Sequence, residues 1–167
     1  RSMSNNNLLD SVLENGQETA EMVARAFSRP DDDWAPSVLL ITGSVDRWSA
    51  EHFPVQLDGH EEKRRVFALD LPRAIATAGA DAVCVSAPVW SLPPGVDGQA
   101  SNHPDRQELF LISAFTAREQ LVRAAAVLRD GKEPPELSPW QDLDGDISRF
   151  DGHLYRPAIE ALAVANR

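Results

Sequence analysis

The most conspicuous chemical pattern in this sequence is a run of alternating carboxylates near its carboxyl end, Asp142, Asp144 and Asp146. A calcium-binding loop supplies hard oxygen ligands in this way from its positions 1, 3 and 5. Counted from Asp142, the sixth position is Ile147 instead of glycine and the twelfth is His153 instead of glutamate. We therefore expect a solvated acidic turn, and Asp142, Asp144 and Asp146 remain the candidate metal site of the sequence.

A second polar cluster lies where a long loop is predicted to enter a strand. Asp105 and Arg106 are placed to pair, Glu108 stands at the mouth of the strand, and His103 is close by in the sequence. This set is the candidate binding site, and its carboxylates and imidazole could also supply acid–base chemistry. The structural alternative is an ion pair that fastens the loop to the sheet, which is the commoner use of such residues.

Motifs for the common catalytic chemistries are absent from the sequence. It contains no G-x-S-x-G nucleophile elbow, no G-x-x-x-x-G-K-S/T or G-x-G-x-x-G phosphate loop, and no H-E-x-x-H histidine pair. The single cysteine, Cys84, excludes an internal disulfide and the ligand set of a zinc deaminase. Because Cys84 falls in an apolar run, we interpret it as a small buried hydrophobe, and we expect no cofactor.

Four tryptophans stand at the ends of predicted elements or in predicted loops: Trp34, Trp48, Trp90 and Trp140. For each of them, closing an edge of the core is the commoner role, and binding a ligand is the rarer one. Trp48 and Phe53 lie in an irregular segment and are the best candidates for an exposed anchor, because tryptophan is enriched at interface hot spots. Trp90, at the end of a predicted strand, is also a candidate binding residue.

Hydrophobic periodicity predicts the elements that must position these residues. Helices are predicted over 8–28, 60–79 and 154–165, and strands over 37–42, 81–90 and 108–116. Residues 44–59 and 91–106 are predicted to be loops. The 108–116 strand is apolar on both faces, so we expect it at the centre of a sheet.

Residues 117–129 are ambiguous. Thr116-x-x-Glu119 could be a capping box that opens a helix. Alternation of Leu121, Arg123 and Ala125 favours a strand, which is our preferred interpretation. The following Asp130-Gly131 predicts a turn into a short strand around 136–140.

The order of elements predicts an α+β fold. We expect a mainly antiparallel sheet of about four or five strands, covered by helices on one face. The domain should span 8–167, after a disordered tail, 1–7, in which Arg1-Ser2 resembles a cloning remnant. The 8–28 helix could be peripheral and pack either on its own domain or on a second copy.

Composition narrows the classes of partner. The 167 residues carry a net charge of −10, which argues against a phosphate-neutralising surface, so no nucleic-acid partner is expected. No apolar run approaches the length of about 20 residues that spans a membrane, so no membrane partner is expected. The cytoplasm is the expected location.

The middle of the chain resembles a loose set of uncharacterised bacterial and phage proteins. The resemblance rests on residues 80–90 (ADAVCVSAPVW) and 103–109 (HPDRQEL), and it covers roughly 60–140. In that set, an Ala-Asp-Ala strand ends in Ser-Glu-Ala-Trp and a Pro-Asp-Arg-x-Glu element opens the next strand. Here Ala87-Pro88-Val89 stands in place of Glu-Ala. The set has no assigned activity, so the resemblance supports the two strands and implies no function.

The missing catalytic motifs favour a non-catalytic binding or accessory protein of the cytoplasm, whose partner is a second copy or another protein. The alternative is a small hydrolase-like enzyme that uses His103, Asp105, Arg106 and Glu108 at the 91–108 loop. Enzyme groups must converge on one reacting atom, whereas binding residues need only share a surface. The arrangement of these four side chains therefore distinguishes the two hypotheses.

Overall fold

The computed structural model describes residues 3–55, 59–93, 95–143 and 154–167. Its helices are α1 (Met3–Arg25), α2 (His60–Arg65), α3 (Leu71–Ala78) and α4 (Arg156–Ala165). A π-helical turn, Val66–Asp70, joins α2 to α3, and a 3-10 turn spans Ala100–Asn102. The strands are β1 (Ser37–Ser44), β2 (Arg47–Phe53), β3 (Ala82–Ser91), β4 (Gln107–Phe115), β5 (Gln120–Leu128), β6 (Glu136–Leu137) and β7 (Gln141–Asp142).

The strands form one mixed-length antiparallel sheet, which confirms the predicted α+β class. Its order is β2-β1-β3-β4-β5-β6, and β7 also pairs with β5. The consecutive strands β3, β4 and β5 make the expected meander, and β4 lies in its centre. The strand interpretation of 117–129 is confirmed. The Thr116 hydroxyl caps the intervening turn, accepting from the amides of Arg118 and Glu119, so the capping-box residues close a hairpin instead of opening a helix.

The sheet has more strands than the four or five predicted, mainly because the predicted 44–59 loop contains β2. β1 runs two residues further than expected and returns through a turn at Val45 and Asp46. Gly43 makes this return possible: its φ is 124°, and a Cβ there would collide with the Arg47 carbonyl. β2 was missed because it is largely exposed, so it lacks apolar alternation.

The prediction that helices cover one face of the sheet is wrong, because they cover both. We call the two sides the α1 face and the α4 face. Residues at alternate positions of β1, β3 and β4 point to opposite sides. The α1 face includes Leu39, Ile41, Cys84, Phe110 and Ile112; the α4 face includes Val38, Leu40, Val83, Val85 and Phe115. Central strands that are apolar on both sides require a helical layer on each.

Helix α1 is an integral layer of the domain instead of a peripheral element. Leu9, Val12 and Leu13 are buried against the sheet. At Gly16 the helix approaches β4 so closely that a Cβ would stand 3.2 Å from Ile112 Cγ2. The helix also begins at Met3, five residues earlier than predicted, so residues 3–7 are helical where a disordered tail was expected. Once a helix has nucleated, each further residue extends it at little cost in free energy.

Three tryptophans from separate segments hold α1 in place, and we call them the indole clamp. Each donates its indole N–H across a distance of 2.9 Å: Trp34 to the Ala20 carbonyl, Trp48 to Ser11 Oγ, and Trp140 to Glu21 Oε1. Trp34 and Trp140 also pack on Phe110 from the sheet. The clamp therefore joins polar groups of α1 to the same core that buries its apolar face.

The predicted helix over 60–79 is present, and Pro72 shapes it. The Leu71 amide donates to the Val66 carbonyl, one residue further back than in an α-helix. This wider turn comes immediately before Pro72, whose ring would collide with a carbonyl in a regular helix. The chain then ends α3 at Gly79 in the left-handed conformation. No helix among the described residues is long and apolar enough to cross a membrane.

The integral role of α1 predicts that Leu13→Ala destabilises the whole domain. Leu13 is 1% exposed, so truncation should lower the free energy of unfolding by about 2–5 kcal/mol. Chemical denaturation followed by circular dichroism would measure this. Glu18→Ala, at an exposed position on the same helix, should change stability by less than about 0.5 kcal/mol. Equal effects of the two variants would contradict the docking described above.

Candidate functional site

Three of the predicted site residues meet on the α1 face, at the end of the sheet where β3 and β4 pair. Trp90 lies directly opposite Glu108 in the β3–β4 register. The Arg106 guanidinium stacks over the Trp90 ring, with its carbon 4.3 Å from the ring centroid. Trp90 is 46% exposed. We call Trp90, Arg106, Glu108 and the neighbouring Arg129 the Trp90 platform.

Arg129 forms the base of the platform through five polar contacts. Its Nε lies 2.8 Å from Glu108 Oε1 and its Nη2 lies 3.3 Å from Glu108 Oε2, a bidentate pair. Nη1 donates to the carbonyls of Pro30 and Asp32, and Nη2 lies 3.0 Å from Asp33 Oδ1. Arg129 therefore joins the α1–β1 connection to Glu108 of β4 and to the end of β5.

The same contacts set the electrostatics of the platform. The hydrogen bonds and charge of Glu108, with a further contribution from Asp33, raise the pKa of the Arg129 guanidinium, while burial opposes the shift. The guanidinium is thus held in its charged form. The Glu108 carboxylate is occupied by both guanidinium contacts, so it is poorly placed to accept a proton as a general base.

His103 and Asp105 belong to the loop that precedes β4 and form their own turn. The backbone amide of Asp105 donates to His103 Nδ1 at 3.0 Å. In the neutral ring the other nitrogen therefore carries the proton. Asp105 is exposed, and its carboxylate forms no ion pair with another described residue. The contact between His103 and the Asp105 amide shapes the loop, while Glu108 pairs with Arg129.

Trp48 occupies a different place from the exposed anchor that was expected. It lies in β2, is half-buried, and is part of the indole clamp. Phe53, its expected companion, packs on the α4 face. Both were predicted from an apparently irregular segment, and both are explained by the β1–β2 hairpin.

One of the three predicted metal ligands lies within the described residues. Asp142 lies in β7 opposite Arg123, and their side chains form an ion pair of 2.8 Å between Nε and Oδ1. Asp144 and Asp146 lie outside the described residues. Within the described ranges, no group of three or more His, Cys, Asp or Glu side chains could hold a metal. The calcium loop therefore stays a prediction, and its first ligand already has a cationic partner.

Two cavities among the described residues lie away from the predicted site. The larger, of about 540 Å³, is an open cleft between the β1–β2 turn, the β4–β5 turn and the end of α4; Ser44, Asp81, Thr116, Arg118 and Arg167 line it. The smaller, of about 160 Å³, is largely apolar and lies on the α4 face beside Phe67 and Val89. Neither is lined by a residue of the predicted site.

Arg129 is the residue that sequence reasoning missed. The alternation that predicted β5 puts Arg123 and Arg129 on the same face as Leu121. That signal places both arginines on the α1 face, but it does not reveal their partners. Glu108 and Asp33 come from other segments of the chain, and only the sheet register brings them together.

Cys84 is buried on the α1 face, as expected for a small hydrophobic residue. Burial alone raises the pKa of its thiol from 9.0 to about 12. The reactive thiolate is therefore scarce at neutral pH.

Comparison with known proteins adds no assignment: no protein-family model, curated protein or solved structure matches this chain.

We predict that Arg129→Met destabilises the domain by about 1–3 kcal/mol, because it leaves the Glu108 carboxylate partly buried without its cation. Urea unfolding would measure the change. Arg29→Met is a matched control, because Arg29 pairs with Asp31 at 3.6 Å in an exposed position and should contribute less than about 1 kcal/mol. If Arg129→Met lowers the free energy of unfolding no more than Arg29→Met does, the network contributes nothing to stability.

The burial of Cys84 predicts a pH-dependent loss of stability. Between pH 9 and about 12 the unfolded chain ionises its thiol while the folded chain keeps it neutral, so the free energy of unfolding should fall as the pH rises through this window. The free energy of unfolding should be measured against pH in wild type and in Cys84→Ala. The difference between the two curves isolates the contribution of the thiol, since the other groups titrate equally in both. The native thiol should also resist a thiol reagent at pH 8 until the chain is unfolded. Rapid labelling of the folded chain would contradict the burial.

Proposed function

We propose that this chain is a non-catalytic binding or accessory protein that contacts a protein partner through the Trp90 platform. The observation that carries the proposal is the stacked pair of Trp90 and Arg106, in which a tryptophan remains 46% exposed. An exposed indole leaves a large apolar surface in water, which a partner would bury.

The residue types of the platform support a role in binding. Tryptophan and arginine are the side chains most enriched at the energetic centres of protein interfaces. Stacking restricts both side chains before any partner arrives, so less conformational entropy is lost on association. The indole offers an apolar contact surface, and the guanidinium stacked on it holds the ring in place. A protein segment that presents an apolar side chain fits this surface.

The support beneath the pair is rigid. Trp90 and Glu108 are cross-strand neighbours, and Glu108 is held by both nitrogens of the Arg129 fork. Arg129 in turn fixes the connection between α1 and β1. A contact surface on paired strands with a cross-linked base keeps its shape better than one on a loop.

The distribution of the acid–base candidates favours binding over the hydrolase alternative. His103 is engaged by the Asp105 amide in the loop, while Glu108 is engaged by Arg129 on the sheet. Catalysis by this set would require the imidazole and a carboxylate to approach one reacting atom. Because each group already has another partner, we propose binding in preference to hydrolysis.

The proposal predicts that a photo-crosslinking residue at position 90 captures one discrete protein in cells of the source organism. The yield of this adduct should fall strongly when Arg106→Ala is introduced into the same chain. With the purified partner, Trp90→Ala should raise the Kd by about 30-fold or more, as for a hot-spot residue worth about 2 kcal/mol.

Position 69 provides the control, because Leu69 is similarly exposed, at 51%, but lies in the π-helical turn. A crosslinker there should not capture the same protein, and Leu69→Ala should leave the Kd unchanged. Capture at both positions, no capture at position 90, or an adduct that Arg106→Ala does not affect would each contradict the proposal.

A further inference from the structure

Strand β2 presents an open edge of the sheet. It is the terminal strand and pairs with β1 alone. Five of its seven residues are exposed: Arg47, Ser49, Ala50, Glu51 and His52. An exposed edge carries unpaired backbone donors and acceptors, which another strand can satisfy.

Two hydrogen bonds of β1 show which residues of β2 direct their backbone groups to this edge. The Gly43 amide donates to Asp81 Oδ2, and the Asp81 amide donates to the Ile41 carbonyl. Ile41 and Gly43 therefore face β3, and the alternate residues of β1 face β2. Their partners in the register are Arg47, Ser49 and Glu51, so Trp48, Ala50 and His52 direct their backbone groups outward.

We propose that two copies of this chain associate through antiparallel pairing of their β2 strands about a two-fold axis at Ser49. In this register Arg47 of one copy lies opposite Glu51 of the other, and the symmetry produces the pair twice. Trp48 lies opposite Ala50, so outward-directed backbone groups meet each other. The turn residue Asp46 comes opposite His52, and the symmetry produces this pair twice as well.

Charge selects this register over its neighbours, because opposite charges on facing strands stabilise a sheet and like charges destabilise it. An axis at Ala50 would place Arg47 opposite Phe53, and an axis at Glu51 would place two glutamates face to face. Arg47 and Glu51 form no ion pair within the part of the chain that the structure describes. Their charges are thus available to a second copy.

The interface is independent of the Trp90 platform, since it uses neither Trp90 nor Arg106. Two-fold pairing of the terminal strands would join the two seven-stranded sheets into one continuous sheet. It would cover the β2 edge of each copy. The two proposals can therefore fail separately.

Charge reversal tests the pairing in the full chain. Wild type should be a dimer by sedimentation equilibrium. Arg47→Glu and Glu51→Arg should each raise the dimer Kd at least about tenfold, because each change creates two like-charge pairs. The double variant Arg47→Glu/Glu51→Arg restores opposite charges and should regain the wild-type Kd. Arg73→Glu and Glu160→Arg, at exposed positions of α3 and α4, are matched controls that should have no effect.

Cysteine substitution tests the register. Ser49→Cys should form a disulfide with its symmetry mate under mild oxidation, because a directly opposed non-hydrogen-bonded pair has Cα atoms about 4.5 Å apart. Ala50→Cys should not crosslink, because residue 50 of the second copy lies diagonally across the strand pair and not directly opposite. The proposal is overturned by a monomeric wild type, by a double variant as weak as the single ones, or by crosslinking at position 50 in preference to 49.

Discussion

The attachment of α1 to the sheet is the interaction on which the rest of this structure depends. The central strands are apolar on both faces, so one face would remain in water if α1 were absent. The helix supplies its apolar stripe, while Trp34, Trp48 and Trp140 bind polar groups along its length. Burial and hydrogen bonding therefore both act on α1. The three segments that carry these tryptophans are positioned by their contacts with the helix. One of them, the α1–β1 connection, carries the carbonyls and carboxylate that hold Arg129.

The local pattern of apolar and polar residues predicted those elements whose structure depends mainly on residues close to them in the sequence. The apolar run before Gly43 and the two-sided apolar pattern of β4 identified the buried strands, and Asp130-Gly131 identified a turn that Asp130 indeed caps. The exposed strand β2 has no such pattern, because its pairing comes from β1 and from the conformation of Gly43. The two-sided character of β4 already required helices on both faces, but no local signal assigns a helix to a face.

The candidate site was predictable in composition and unpredictable in arrangement. Glu108 was identified from its place at a strand mouth, but its ion pair is with Arg129 after β5 and was not foreseen. Its partner Arg129 is 21 residues away in the sequence, and only the β4–β5 register reveals the pair. The tryptophans show the same limit: Trp48 was the expected exposed anchor and binds α1, whereas Trp90 is 46% exposed. Exposure of an aromatic ring depends on which element covers it, which is a long-range property.

The indole clamp also constrains how the chain can acquire its structure during synthesis. Glu21 and Trp140 are 119 residues apart, so α1 leaves the ribosome long before the last member of its binding surface has been made. Such contacts of high sequence separation close late and slowly. Helix α1 is thus translated before every strand that it covers, and its last tryptophan contact closes only after β6 has been made.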